Sequence, residues 1–142
     1  MTLLVDTSVW SLALRRDAPP VLQPEVQSLA DALAGSALIV TTGLVLQELL
    51  QGFGGGKSAA AISARFSGLA WVQPTREDHI GAAELRNHCR RAGVQVGTVD
   101  ALIAQLCIRH ELTLLTTDQD FTHVARHSGL KVWAAAARGL RR

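Results

Sequence analysis

Short runs of consecutive apolar residues alternate along this chain with longer stretches in which apolar residues return every three or four positions, and that alternation restricts the fold more than any other feature. The short runs are Leu3–Val5, Ala37–Val40, Leu69–Gln73, Leu112–Thr116 and Leu130–Trp133, each read as a strand. Apolar residues at successive positions, not alternate ones, are what a strand covered on both faces requires, as in a parallel sheet. Helical period is carried by Val26, Leu29, Ala30 and Leu33 up to Gly35, and by Leu46, Leu49, Leu50 and Phe53 up to Gly54-Gly55-Gly56. It returns in Leu102, Ile103, Leu106 and Cys107 of the segment from Val99, in a helix beginning about Thr75, and in Phe121, Val124 and Ala125 before Gly129. Strand and helix in alternation predict an α/β three-layer sandwich, with a central, mostly parallel five-stranded sheet and right-handed crossovers.

A chain of 142 residues with 48% hydrophobic content can bury a core as a single domain, 1–142, without disulfides or a structural metal. Cys89 and Cys107 belong to no CxxC pair, which suits a reducing cytoplasm. No apolar run approaches the ~18 residues of a membrane span, and Asp6 closes the opening apolar run before it can act as a signal core. Lys57-Ser58 follows the glycine run without the spacing of a phosphate loop. The glycines therefore read as a loop between two helices.

In open α/β sheets ligands bind beyond the carboxyl ends of the strands. Asp6 follows the first run and Asp118 the fourth, which places both at the same end of neighbouring strands. Taken singly, either is as well explained as a helix cap. Glu48 shares its helical row with Leu44, Val45 and Gly52, and Asp100 borders the face of Val99, Leu102 and Ile103, so both should be partly enclosed. Four acids from separate segments, none with a Lys or Arg beside it in sequence, would repel one another unless a cation joined them. The set is all oxygen, with Thr7, Ser8, Thr116 and Thr117 as hydroxyls behind it; it suits Mg²⁺, with Mn²⁺ as a substitute, better than zinc.

The segments Asp6-Thr7-Ser8-Val9-Trp10, Glu48-Leu49-Leu50-Gln51-Gly52, Asp100-Ala101-Leu102-Ile103-Ala104 and Thr116-Thr117-Asp118-Gln119-Asp120-Phe121 resemble the four ordered motifs of PIN-domain proteins, and among these the VapC-type toxins of toxin–antitoxin pairs. The resemblance implies a magnesium-dependent endoribonuclease, held inactive by a cognate antitoxin and forming a homodimer in the cytoplasm. Asp6, Glu48, Asp100 and Asp118 match the family's acidic quartet. Asp120 matches a further acid that is less consistently a direct ligand.

No Ser, Cys or Lys has the partner needed for covalent catalysis, so metal-activated water is the expected nucleophile for the RNA phosphodiester. RNA contact is expected from Arg86, His88, Arg90 and Arg91, with Arg138, Arg141 and Arg142 as a second basic group. This accords with the charge distribution: residues 76–142 hold ten of the fourteen Lys and Arg, although the net charge is only +2. His123 and His127 lie one turn apart but lack a third ligand. Trp10, Leu12, Ala13 and Cys107 are assigned to the core. The loop 54–56 and its flanking Phe53, Ile62 and Phe66 are divided between internal packing and an apolar surface for antitoxin or a second subunit.

A haloacid-dehalogenase-like phosphatase needs an acid where Ser8 stands, and a response-regulator receiver needs a lysine after the last strand, whereas Lys131 enters it. Two alternatives stay open at this point: a non-catalytic RNA-binding or protein-interaction module of the same fold, and a structure-specific DNA nuclease.

Overall fold

The computed structural model describes residues 1–15 and 23–135. Five strands, β1 (Thr2–Val5), β2 (Leu38–Thr41), β3 (Ala70–Trp71), β4 (Thr113–Leu115) and β5 (Lys131–Val132), form one sheet in the order β3-β2-β1-β4-β5. Every pairing is parallel, so the expected mostly parallel sheet is parallel throughout its described residues. Among the described residues seven α-helices connect them: α1 (Thr7–Leu14), α2 (Pro24–Asp31), α3 (Gly43–Gly52), α4 (Gly56–Ser67), α5 (Arg76–Arg91), α6 (Thr98–Arg109) and α7 (Asp120–Ala125).

Strand order explains which apolar runs are covered. The central β1 buries Leu3, Leu4 and Val5, and β4 buries Leu114 and Leu115. The edge strands are shorter than their apolar runs: β3 keeps only Ala70 and Trp71, both exposed, and β5 only Lys131 and Val132. With a single partner each, edge strands have neither a second ladder nor two covered faces to extend them. Leu38, which opens the interior strand β2 and pairs with Thr2 of β1, is nevertheless 71% exposed.

The helices follow the sequence period with two departures. α2 buries Val26 and Leu29, but the chain then widens into a π-helical turn over Ala32–Ser36; Ala32 is buried and Leu33 turned outward, against the expected Ala30 and Leu33 face. Gly35 closes that turn at φ +113°, a left-handed conformation suited to glycine. α1 packs Val9 and Trp10 in the core, where the Trp10 and Phe66 rings sit 4.9 Å apart and join α1 to α4. Leu12 is half-buried and Ala13, in the last turn as the chain leaves the core, is exposed, contrary to its assignment there. Ile62 and Phe66 pack internally, and Phe53 is half-buried. α5 begins in a reciprocal capping box between Thr75 and Asp78.

The candidate active site

Parallel strands deliver their carboxyl ends to one edge, and there β1 and β4 release Asp6 and Asp118. Asp6 is buried, and its backbone N–H continues the ladder to the Leu115 carbonyl at 2.9 Å. Its carboxylate is held through Oδ2, which accepts from Ser8 Oγ at 2.7 Å and from Thr116 Oγ1 at 2.8 Å. With their single protons spent on Asp6, these hydroxyls accept in turn from backbone: Ser8 Oγ from the Thr117 N–H at 3.1 Å, Thr116 Oγ1 from the Asp118 N–H at 3.0 Å. The loop carrying Asp118 is thus tied to Asp6 through two hydroxyls. Asp118 Oδ1 accepts from the Asp120 N–H at 2.9 Å, so Asp120 begins α7 over the same turn.

Asp100 stands in the first turn of α6 and is half-buried. Its carboxyl is pushed up to about 6, by burial first and then by the negative charges of Asp6, Asp118, Glu48 and Asp120. The other four acids singled out in the sequence therefore act electrostatically on Asp100, and no basic side chain contributes to that field. Beneath them the buried Cys107 thiol is pushed up to about 12, by burial and then by Asp6, which leaves it an inert core group as assigned.

Glu48 departs from expectation. It is exposed, because Gly52, one turn further along α3, faces open space and offers no side chain to cover it. Thr7 compensates: its Oγ1 donates to Glu48 Oε1 at 2.7 Å across a separation of 41 residues. Sequence proximity could not have indicated this link, although a hydroxyl immediately after Asp6 was the available signal.

Among the described residues no three His, Cys, Asp or Glu side chains already surround a common ligand point, and this includes His123 and His127, both exposed. The donor set nevertheless fits a hard divalent cation, being all-oxygen, crowded with like charge and lacking a cationic side chain. Asp6, Asp100, Asp118 and Glu48 are the residues that would hold it.

The basic groups divide. Arg86 Nε donates to the Val96 carbonyl at 2.8 Å, so this half-buried side chain braces the loop before α6, while His88, Arg90 and Arg91 are exposed near the end of α5. Arg138, Arg141 and Arg142 lie outside the described residues. One ion pair escaped the sequence reading: Asp78, fully buried, is gripped by Arg109, whose Nη2 lies 2.9 Å from Oδ2, locking the start of α5 to the end of α6. Burial pushes the Asp78 carboxyl up, but hydrogen bonds from Arg109 and Thr75 outweigh it and hold it below its usual range.

The family model of the PIN domain matches residues 3–127. The chain belongs to the PIN-domain family. Solved structures similar to this PIN domain include VapBC2 of Rickettsia felis bound to a DNA fragment from their promoter (21% identity, 94% of this chain and 98% of that one, TM-score 0.70). FitAcB of Neisseria gonorrhoeae matches at 21% identity over 93% and 96% of the two chains, with TM-score 0.69. VapC20 of Mycobacterium tuberculosis, described as a sarcin-ricin-loop-cleaving toxin, matches at 19% identity over 84% and 92%, with TM-score 0.65. At these identities the likeness is one of fold. The all-parallel sheet is therefore family architecture. No helix of the described residues is long and apolar enough to cross a membrane.

Proposed function

We propose that this PIN domain is the toxin of a type II toxin–antitoxin pair, a Mg²⁺-dependent endoribonuclease that hydrolyses RNA phosphodiester bonds. The observation that carries the reading is the charge imbalance at the carboxyl edge: burial and four neighbouring carboxylates raise Asp100 to about 6, with no basic side chain to relieve them. Such a cluster is costly as a structural device and useful as a cation site. The fold shared with VapBC, FitAB and VapC20 chains supports the toxin assignment.

When bound, a divalent cation supplies Lewis acidity, making water more acidic and offsetting the charge that builds on phosphate oxygens. The chain's own groups do the rest. Asp6, pinned through Oδ2, keeps Oδ1 for the cation; Asp100 and Asp118 offer carboxylates from two further elements. Glu48 completes the set or orients the attacking water. Arg90 and Arg91, exposed on α5, would meet phosphates along the strand, with Arg86 shaping the loop ahead of Asp100. A cognate antitoxin would restrain the activity, and the active form would be a homodimer in the cytoplasm, where two unpaired cysteines suit a reducing medium.

Mapping RNA 5′ ends after incubation with and without Mg²⁺, for the wild type and Asp6→Asn, tests the reading. The wild type should cut only with Mg²⁺ and Asp6→Asn should not cut while remaining folded. Metal-independent cleavage, or full activity in Asp6→Asn, would refute it. RNA bound but never cut would favour the non-catalytic module, and cleavage confined to DNA the alternative nuclease.

A further inference from the structure

Two consecutive hydroxyls follow Asp6 and reach opposite sides of the site. Ser8 turns toward β4, where it shares Asp6 Oδ2 with Thr116 and receives the Thr117 N–H. Thr7 turns toward α3 and donates to Glu48. Glu48 differs from the other acids in its support: Asp6 leaves a central strand, Asp118 is bound to its own loop, and Asp100 is half-buried in a helix with a buried face. Glu48 is exposed, and open space beside Gly52 leaves its several rotatable bonds free to carry the carboxylate away.

We infer that Thr7 is the positioning residue for Glu48, deciding whether the fourth acid stands ready at the site. The inference rests on the cation-dependent reading above and deepens it. Thr7 opens α1, whose buried Val9 and Trp10 anchor its backbone, so its hydroxyl is presented from a fixed element. The 2.7 Å bond occupies Glu48 Oε1 alone and leaves Oε2 to bind a cation or to accept from a water. Without Thr7, ordering the Glu48 side chain would fall to the cation, and affinity would drop by the cost of that ordering. Partners that orient a metal's ligands in this way are typically worth about tenfold or more in affinity.

Mn²⁺ binding, followed by calorimetry on the full chain, tests this without reference to cleavage. The proteins are the wild type, Thr7→Val, Thr7→Ser, Glu48→Gln and the double variant Thr7→Val/Glu48→Gln. Thr7→Val and Glu48→Gln should each weaken Mn²⁺ binding about tenfold, and the double variant no more than Glu48→Gln alone. Thr7→Ser, which restores the hydroxyl, should return to within about twofold of the wild type. Urea midpoints of all five proteins should stay close together, whereas a purely structural role for Thr7 would shift them and leave the two losses additive. Additive losses, a Thr7→Val protein that binds like the wild type, or a serine that fails to rescue would each overturn the inference. A wild type that binds Mn²⁺ and shows the coupling but cuts no RNA would leave it standing and remove the nuclease reading. A wild type that binds no Mn²⁺ would remove both.

Discussion

Replacing Asp100 by asparagine should make the cation-free protein more stable near neutral pH, although it removes a residue assigned to the site. Folding raises this carboxyl from its ordinary 3.8 to about 6. At about 1.4 kcal/mol for each tenfold change in proton affinity, the ceiling on the penalty is about 3 kcal/mol. Asp100 is only half-buried, and solvent screening brings the usable figure to about 1–2 kcal/mol. For a chain of this size that corresponds to a melting temperature higher by roughly 3–7 °C. The sign follows from the direction of the change. A carboxyl raised on folding penalises the folded state at pH values above its folded value, and the penalty fades as pH falls through about 6 toward 3.8. Scanning calorimetry in EDTA should find Asp100→Asn melting above the wild type at about pH 7.5 and the two nearly coincident at about pH 4. Saturating Mg²⁺ should raise the wild type more than the variant, because the variant has lost one of the four carboxylates assigned to the cation. An Asp100→Asn protein that melts below the wild type at the higher pH, or gains equally at both, would refute the electrostatic account.

Other perturbations probe different parts of the same architecture. Arg109→Ala strands a fully buried Asp78 carboxylate and should lower the urea unfolding midpoint clearly, less than loss of one member of a wholly buried pair would because the arginine is 39% exposed. Asp78 is held below its usual range, so its stabilising contribution is complete above 3.8 and disappears as pH falls through the lower folded value; the deficit of Arg109→Ala should narrow under strong acid. Phe66→Ala, which removes the ring whose centroid lies 4.9 Å from that of Trp10 at a tilt of 47°, should cost about 3–5 kcal/mol, measured by the same unfolding curves. Ser8→Ala frees one of two bonds to Asp6 Oδ2 and should lower Mn²⁺ affinity about tenfold with little change in melting temperature. Charge reversal at Arg90 and Arg91 should weaken RNA binding and reduce its salt slope by roughly two contacts, leaving Mn²⁺ affinity unchanged.

Much of the fold is legible in one dimension because its rules are local. Consecutive apolar residues mark β1 and β4 as covered on both faces, and the period of α6 places Leu102, Ile103, Leu106 and Cys107 in the core. Asp6 and Asp118 follow from the rule that parallel strands present their carboxyl ends together, which needs only strand positions and directions. Strand order, by contrast, arises from pairings between distant segments, so the shortness of the edge strands β3 and β5 could not be read from their apolar runs. Leu33 was lost to a widened turn whose only trace is Gly35.

For the site, residue types and their order along the chain were enough to single out four acids and the hydroxyls beside them, and the family resemblance added Asp120. Tertiary structure decided how each is held: Asp6 pinned by Ser8 and Thr116, Asp118 tied to that pair through its backbone, Asp100 raised by its neighbours, and Glu48 exposed but caught by Thr7. It also joined Asp78 to Arg109 across 31 residues, a pair with no signature in the intervening sequence. The division has one physical cause. Apolar periodicity and strand-end chemistry act through neighbours a few residues apart, whereas burial, electrostatic repulsion and hydrogen bonds between segments exist only after the chain has brought distant residues together.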